Sequence, residues 1–160
     1  MFIRSERLFL RPVWAEDRDE LVALTRDELT AQAWIGHAHP PRYPRCLITL
    51  PDQADGGAHV IGTIGIGQCD RLGDGAAALH VWVAPERRRQ GFGKEAVLAV
   101  LALLRSLGHD QIVARHIAAS GPARQLLTKL GFVPTGPMQL ALRLAPAAGN
   151  PFDAGFSHAA

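Results

Sequence analysis

The residues with the clearest chemical potential lie in one stretch, where a run of arginines precedes two spaced glycines and an apolar segment. The stretch covers residues 79 to 96 and reads LHVWVAPERRRQGFGKEA. Its apolar start predicts a strand, and Pro85 with the charges after it predicts a turn. The spacing Arg88-x-x-Gly91-x-Gly93 then opens a helix, whose first N–H groups have no intrahelical partner and carry the positive end of the dipole. The pattern therefore predicts a phosphate-binding turn.

Two properties of this turn suit a diphosphate in particular. Gly91 and Gly93 lack a Cβ, which allows a ligand to approach the main chain closely. A P-loop is excluded, because Arg88 stands where that motif needs glycine and Glu95 where it needs serine or threonine. A Rossmann fingerprint is excluded by the order of the glycines and their place late in the chain. Positive charge surrounds the glycines through four side chains, Arg87, Arg88, Arg89 and Lys94.

A second glycine pattern has no such context. Gly62, Gly65 and Gly67 lie inside a predicted strand, with no helix after them and no basic residues beside them. We interpret them as glycines that allow close packing of a strand and not as a ligand site.

Composition limits the class of protein. The chain has 160 residues, 48% of them hydrophobic and 20% charged, which predicts one globular domain with a single core. A formal net charge of +2 argues against a nucleic-acid or membrane partner. Cys46 and Cys69 form no metal-like pattern, so we expect no metal site and no disulfide scaffold. A reducing cytoplasm fits this cysteine usage best, and we expect a cytoplasmic protein. The charged N-terminus contains no apolar run of signal-peptide length, so we predict that it is part of the fold.

The elements that must position the turn follow from periodicity and breakers. The chain begins with a predicted strand and a helix, and whether this helix continues through Trp34 is open. A loop with three prolines follows, and then a meander of three strands. Two further helices, each ended by glycine, alternate with two strands. The predicted strands are 8–11, 46–50, 59–68, 77–83, 111–117 and 138–144, the helices 17–26, 93–107 and 122–130, and the loop 36–45. We predict one domain over residues 1–144 and a poorly ordered or partner-docking tail over 145–160.

Three segments together resemble the GNAT superfamily of acyl-coenzyme A N-acyltransferases. VWVAPERRRQGFGKEA is similar to that family's R/Q-x-x-G-x-G/A diphosphate motif and the strand before it. SERLFLRPVWAEDRDEL near the start and SGPARQLLTKLGF at residues 120–132 resemble the branch of ribosomal-protein N-terminal acetyltransferases. The resemblance spans roughly residues 3 to 132 and implies an α+β fold. In that fold a mixed, mostly antiparallel sheet carries helices on both faces, with a splayed cleft between its central strands.

The resemblance also implies an activity. Acetyl-coenzyme A would lie in the cleft and transfer its acetyl group directly to the primary amine of a small molecule or peptide, without a metal. Main-chain groups of Trp82 and Val83 would pair with the pantetheine arm. Only 28 residues follow Phe132, where the family has two more strands, so the last strand would lie in the tail or come from a partner subunit, which makes a homodimer possible. The remaining coenzyme contacts implied are Arg88, Arg89, Gln90, Gly91, Phe92, Gly93, Lys94, Ser120 and Arg124.

The catalytic residues depart from the family pattern. Ala78 stands where a glutamate is common, and the single tyrosine, Tyr43, lies in the proline-rich loop. His80 is the best candidate for the general base, because its ordinary pKa suits proton transfer near neutral pH, although it could be a plain strand histidine. Ser120 could donate to the leaving thiolate or cap the helix that follows. Trp34 and Tyr43 are candidates for acceptor binding.

Two other functions compete with this interpretation. The missing glutamate and tyrosine would also fit a catalytically impaired module that binds coenzyme A in a regulatory role. A nucleic-acid binder that uses the arginine run would show steep salt dependence, but the near-neutral net charge argues against it.

Overall fold

The computed structural model describes residues 2–35, 43–69, 76–118 and 121–144, so the predictions for Ser120 and for the tail fall outside it. Within these ranges eight strands form one sheet. They are β1 (Ile3–Arg4), β2 (Phe9–Arg11), β3 (Arg45–Pro51), β4 (Ala58–Gln68), β5 (Ala76–Val83), β6 (Gln111–Ala114), β7 (Val133–Gly136) and β8 (Gln139–Arg143). The α-helices are α1 (Arg18–Thr25), α2 (Glu28–Ile35), α3 (Phe92–Ser106) and α4 (Pro122–Lys129).

The strand order is β1-β2-β3-β4-β5-β6-β8-β7, and every neighbouring pair is antiparallel except β5 and β6. A parallel pair needs a crossover, which α3 supplies. The predicted mixed, mostly antiparallel sheet is confirmed. The crossover that joins the parallel strands β5 and β6 begins with the predicted diphosphate turn.

Helices cover both faces of the sheet, as predicted. The apolar stripe of α3, which includes Val97, Val100 and Leu104, packs on one face together with Leu127 of α4. On the opposite face a smaller cluster joins α1 and α2 to β3 and β4, and it contains Trp34 and four other buried residues, Leu21, Ala31, Leu47 and Val60. No helix in the described part of the chain is long and apolar enough to cross a bilayer.

The expectation that the last strand comes from the tail or from a partner subunit was wrong. Val133–Gly136 follows Phe132 directly and pairs antiparallel with β8, so both strands lie within residue 144. Pro134 lies inside this strand, and a proline in the sequence argues against a strand, so the pattern did not predict it. A proline is tolerated there because β7 is at the edge of the sheet and has a partner on one side only.

Other boundaries differ by smaller amounts. The predicted strand 111–117 ends at Ala114, and His116 has a positive φ of 57°, which no strand residue adopts. The first predicted helix stops at Thr25, because Arg26 takes a left-handed conformation, and the open continuation through Trp34 is the separate helix α2. β1 was not predicted.

Candidate active site

Strand β5 is paired differently along its two edges. It pairs with β4 from Ala77 through Val83, but its pairing with β6 ends at Leu79 opposite Ala114. From His80 onward the two parallel strands therefore part. The predicted splayed cleft lies between them.

Alternation along β5 decides which main-chain groups face this cleft. The N–H of Ala84 donates to Ile61 O at 2.8 Å, so the even-numbered residues direct their polar groups toward β4. Trp82 therefore faces β4 and not the cleft, contrary to the role expected for its main chain. Val81 and Val83 face the cleft, and the Val83 carbonyl accepts a hydrogen bond from Arg88 Nε at 2.8 Å. Val81 was not anticipated, because its direction depends on the register of the sheet.

Glycines of β4 allow this close pairing. A Cβ on Gly62 would lie 2.3 Å from the carbonyl oxygen of Trp82, and a Cβ on Gly65 would lie 3.0 Å from the Trp34 ring. The interpretation of these two glycines as packing positions is confirmed. A Cβ on Gly67 would meet no atom within 4 Å.

The turn after β5 leaves a row of unpaired N–H groups. A short 3-10 turn at Pro85–Arg87 leads into residues with left-handed backbone at Arg89 (φ 63°) and Gly91 (φ 82°), and Gly91 is the N-cap of α3. The first helical hydrogen bond runs from Glu95 N to Gly91 O at 3.1 Å. The N–H groups of residues 90–94 find no acceptor in the described part of the chain. Such a set of N–H groups at a helix N-terminus is an anion-binding arrangement.

The side chains of this turn divide into two groups. Those of Arg88, Arg89, Gln90 and Lys94 are exposed, so that they could contact an anion above the helix. Phe92, by contrast, is buried in the core below α3. It can therefore contribute its N–H to a ligand, but not its ring.

Ser5 and Arg7, which lie between β1 and β2, form hydrogen bonds that hold the turn in place, and we call this set of contacts the bracket. Arg7 donates from Nη1 to Gln90 O at 3.0 Å and from Nε to Glu95 Oε2 at 2.8 Å. Its guanidinium lies 4.5 Å from the centroid of the Phe92 ring. Glu95 also accepts from Ser5 Oγ at 2.6 Å, and these donors hold the pKa of its carboxyl below the ordinary value although burial alone would raise it. Sequence reasoning missed this bracket, because its members are about 90 positions apart.

Arg124 adds a polar atom without a partner. Its Nη1 is buried and has no hydrogen-bond acceptor in the described part of the chain. It belongs to α4, which packs beside the start of α3, since a Cβ on Gly93 would lie 3.3 Å from Leu126 Cδ2. A buried guanidinium nitrogen without an acceptor fits an anionic ligand. The predicted set around residues 88–94 and Arg124 is therefore brought to one region.

On the other face of the sheet, His80 lies beside Trp34. Their ring centroids are 6.1 Å apart, and His80 is paired in register with Gly65, over which Trp34 packs. Neighbouring atoms desolvate the imidazole and Arg45 repels its positive form, and both effects lower the pKa of His80 from its ordinary value. His80 is exposed, so a ligand can reach it. The predicted residues His80 and Trp34 thus lie together where β5 loses its pairing with β6.

Tyr43 is not part of this group. Its ring packs 5.6 Å from that of His109, which follows the C-terminus of α3, at the end of the helix opposite the turn. At α4 the N-cap residue is Gly121, with Pro122 at the first helical position, and not Ser120. Cys69 is buried and accepts a hydrogen bond from Arg115 Nη2 at 3.0 Å.

The splayed parallel pair, the crossover helix and the bare helix N-terminus define a class of acyltransferase fold, and the comparisons agree. The model of the acetyltransferase (GNAT) domain family matches residues 7–133. The chain therefore belongs to this family, and it is an N-acetyltransferase. No curated protein matches its sequence.

Solved structures with the same fold include three from bacteria. A provisionally assigned ribosomal-protein-serine acetyltransferase from Vibrio cholerae is 18% identical with a TM-score of 0.68, over 89% of this chain and 97% of that one. A GNAT-family acetyltransferase from Bacillus anthracis is 16% identical with a TM-score of 0.67, over 89% and 98%. Mutant forms of the spermidine/spermine N-acetyltransferase of Vibrio cholerae are 17% identical with a TM-score of 0.66, over 86% and 94%. At these identities the likeness concerns the fold alone.

Proposed function

We propose that the chain transfers the acetyl group of acetyl-coenzyme A directly to a primary amine while both substrates are bound. The observation that carries this proposal is the continuity of one surface. The edge of β5 at Val81 and Val83, where β6 no longer pairs, leads into the unpaired N–H groups of residues 90–94. A molecule with an extended amide-containing arm and a diphosphate matches both parts.

The residues present fit such a molecule. The N–H groups at the start of α3, with Arg88, Arg89 and Lys94, would hold the diphosphate, and the buried Nη1 of Arg124 would reach another anionic oxygen. Free main-chain groups of β5 would pair with the arm. The coenzyme supplies a thioester whose acetyl group is open to attack by an amine, and the protein's part is to align the two reactants.

His80 is proposed as the general base. In the transfer the amine nitrogen forms a bond to the acetyl carbon and loses one proton, while the bond from carbon to sulfur breaks and the thiolate gains one. A neutral imidazole can accept the first proton, and the lowered pKa of His80 keeps it neutral at pH 7. Trp34 would form a wall of the acceptor site, and Ser120 stays the predicted donor to the thiolate.

Several finer features belong to the same proposal. The segments SERLFLR and SGPARQLLTKLGF and the fold shared with the ribosomal-protein-serine acetyltransferase support a branch that modifies protein N-termini. The fold shared with the spermidine/spermine enzyme supports a small-molecule amine equally. We further propose a cytoplasmic domain formed by residues 1–144 that binds no nucleic acid. The homodimer was expected in order to supply a missing strand, and since β7 and β8 both lie within residue 144, we do not propose it.

The test measures binding and transfer separately. Isothermal titration with coenzyme A should give a dissociation constant in the micromolar range typical of enzyme substrates, and a thiol-release assay with an amine panel should give turnover. Binding without turnover for any amine would instead indicate the catalytically impaired module. Absence of binding would contradict the proposal altogether.

A further inference from the structure

Arg45 is the partly buried arginine whose positive charge acts on the His80 imidazole. Arg11, another partly buried arginine, forms a two-point pair with Asp17 at 2.7 and 2.8 Å. Arg45 is half-buried as well, but no carboxylate pairs with it in the described part of the chain. Its guanidinium is therefore available to a ligand that carries a negative charge.

The geometry of Arg45 leaves part of its guanidinium free. Nη1 donates to Ala33 O near the C-terminus of α2 at 3.1 Å, and the guanidinium lies 5.4 Å from the centroid of the Trp34 ring. These contacts hold the side chain in place. Nε and Nη2 have no acceptor among the described residues, and an arginine offers such donors as a pair that matches a carboxylate.

Arg45 also lies in line with the proposed base. The sheet register places Arg45 opposite Gly65, and Gly65 opposite His80, so the three residues form a row across β3, β4 and β5. Gly65 has no side chain, and Trp34 packs into the space between the two outer residues. The backbones of Arg45 and His80 are thus two strand spacings apart, about 10 Å. A small acceptor would reach both side chains across the Trp34 ring, which lies 5.4 Å from the Arg45 guanidinium and 6.1 Å from the His80 ring.

Among the described residues, the charge that acts on this row is positive. Arg45 is the charged group that acts on the His80 imidazole and lowers its pKa, and no carboxylate acts on it. In the sequence, no acidic residue occurs between Glu28 and Asp52. A second ammonium group on the acceptor would therefore meet repulsion here, whereas a carboxylate would be attracted.

We propose that the acceptor is a small amine that also carries a carboxylate, with Arg45 binding the carboxylate and His80 facing the amine. The inference rests on the proposed function and specifies the substrate class of the same site. It distinguishes an aminocarboxylate from a polyamine, two classes that share the reacting amine and differ in the charge of the far end.

The test uses three probes of equal chain length: 4-aminobutyrate, n-butylamine and 1,4-diaminobutane. Their binding to the protein saturated with coenzyme A is measured by isothermal titration, and their turnover with acetyl-coenzyme A is measured by thiol release. We expect 4-aminobutyrate to bind at least about tenfold more tightly than the other two, since a charged hydrogen bond contributes that much. Glycine and β-alanine then define the preferred spacing.

Variants of Arg45 separate recognition from structure. Arg45→Gln should weaken 4-aminobutyrate about tenfold and leave n-butylamine nearly unchanged, and Arg45→Lys should restore part of the loss and serves if the glutamine variant does not fold. Arg105→Gln, an exposed arginine in the last turn of α3, is the matched control. Equal binding of the three probes, or equal weakening of all three in Arg45→Gln, would overturn the inference. A lack of turnover with every amine would instead count against the proposed function, because the binding measurement still decides the role of Arg45.

Discussion

The two halves of strand β5 differ in their neighbours. The first half, Ala76–Leu79, pairs with β4 and with β6 and is mostly buried, whereas the second half, His80–Val83, pairs with β4 alone and is partly exposed. A strand with both edges paired has no main-chain group left for a ligand. One continuous strand therefore serves as the centre of the sheet at one end and as a binding edge at the other.

The difference between the two halves shows that the cleft begins where β6 ends. β5 continues along β4 without interruption, because Gly62 admits the Trp82 carbonyl at a distance that no side chain would allow. β6 stops at Ala114, and His116 soon after it has left-handed backbone. The cleft is thus kept open by the continuity of one strand and the early end of the other.

The largest expected effect is a loss of stability when a residue that packs beside the doubly paired half of β5 is changed. Ile112 of β6 is completely buried and lies opposite Ala77. Ile112→Ala should lower the free energy of unfolding by about 2–5 kcal/mol, because it removes buried methyl groups and leaves a cavity. Urea unfolding followed by circular dichroism measures this loss. Val83→Ala in the open half should cost less, and an equal cost would contradict the division of β5 into two parts.

The next effect concerns catalysis at the first unpaired residue. His80→Gln should lower kcat by about 100-fold, the usual contribution of a general base, and leave the dissociation constant of coenzyme A unchanged. Steady-state kinetics and isothermal titration give the two quantities. A variant that lost coenzyme binding and turnover together would place His80 in the structure of the cleft and not in proton transfer.

The pH dependence of kcat tests the same residue independently. A base works in its neutral form, and desolvation with the charge of Arg45 lowers the pKa of His80, so the neutral form persists below the ordinary histidine value. The loss of activity that comes from protonation of His80 should therefore appear only below about pH 6.5, apart from the slope that the acceptor amine's own protonation imposes on wild type and variant alike. This acidic limb should disappear in His80→Gln when the same amine is used. An identical limb in both proteins would remove His80 from the mechanism.

A smaller effect is expected at the far end of the open half. Gly91→Ala should raise the dissociation constant of coenzyme A about tenfold, because left-handed backbone costs alanine about 1 kcal/mol or more and its Cβ would lie 3.2 Å from Arg7 Nη2. Gly93→Ala should cause a smaller loss, since a Cβ there meets the movable end of Leu126. The reverse order would show that the glycines act through direct ligand contact and not through the shape of the turn.

The smallest effect is expected from the bracket that supports the turn. Arg7→Ala removes the hydrogen bond to Gln90 O, and we expect the dissociation constant of coenzyme A to rise about threefold. The melting temperature should change little, because exposed ion pairs contribute little to stability. Arg18→Ala is the matched control, since Arg18 also forms exposed ion pairs in α1. No difference between the two variants in coenzyme binding would show that the turn needs no support from β1 and β2.

Sequence reasoning succeeded where the signal is local. The diphosphate turn, the apolar stripe of α3 and the packing role of Gly62 each depend on residues close in the chain, and the structure contains a turn, a helix and a strand at those places. It failed where a local rule is overruled by position in the sheet. Pro134 is compatible with a strand because β7 is at the edge of the sheet, and the neighbouring residues do not indicate that the strand is an edge strand.

The sequence by itself determined the class of fold and predicted a helix N-terminus suited to an anion. Both depend on patterns within a few neighbouring residues, namely apolar periodicity and a glycine-opened helix after an arginine run. Only the tertiary structure decided which side of β5 faces the cleft, that Val81 and not Trp82 lies there, and that Arg7 supports the turn. These facts depend on strand register and on contacts between distant segments. A one-residue shift of register would direct the opposite set of groups into the cleft.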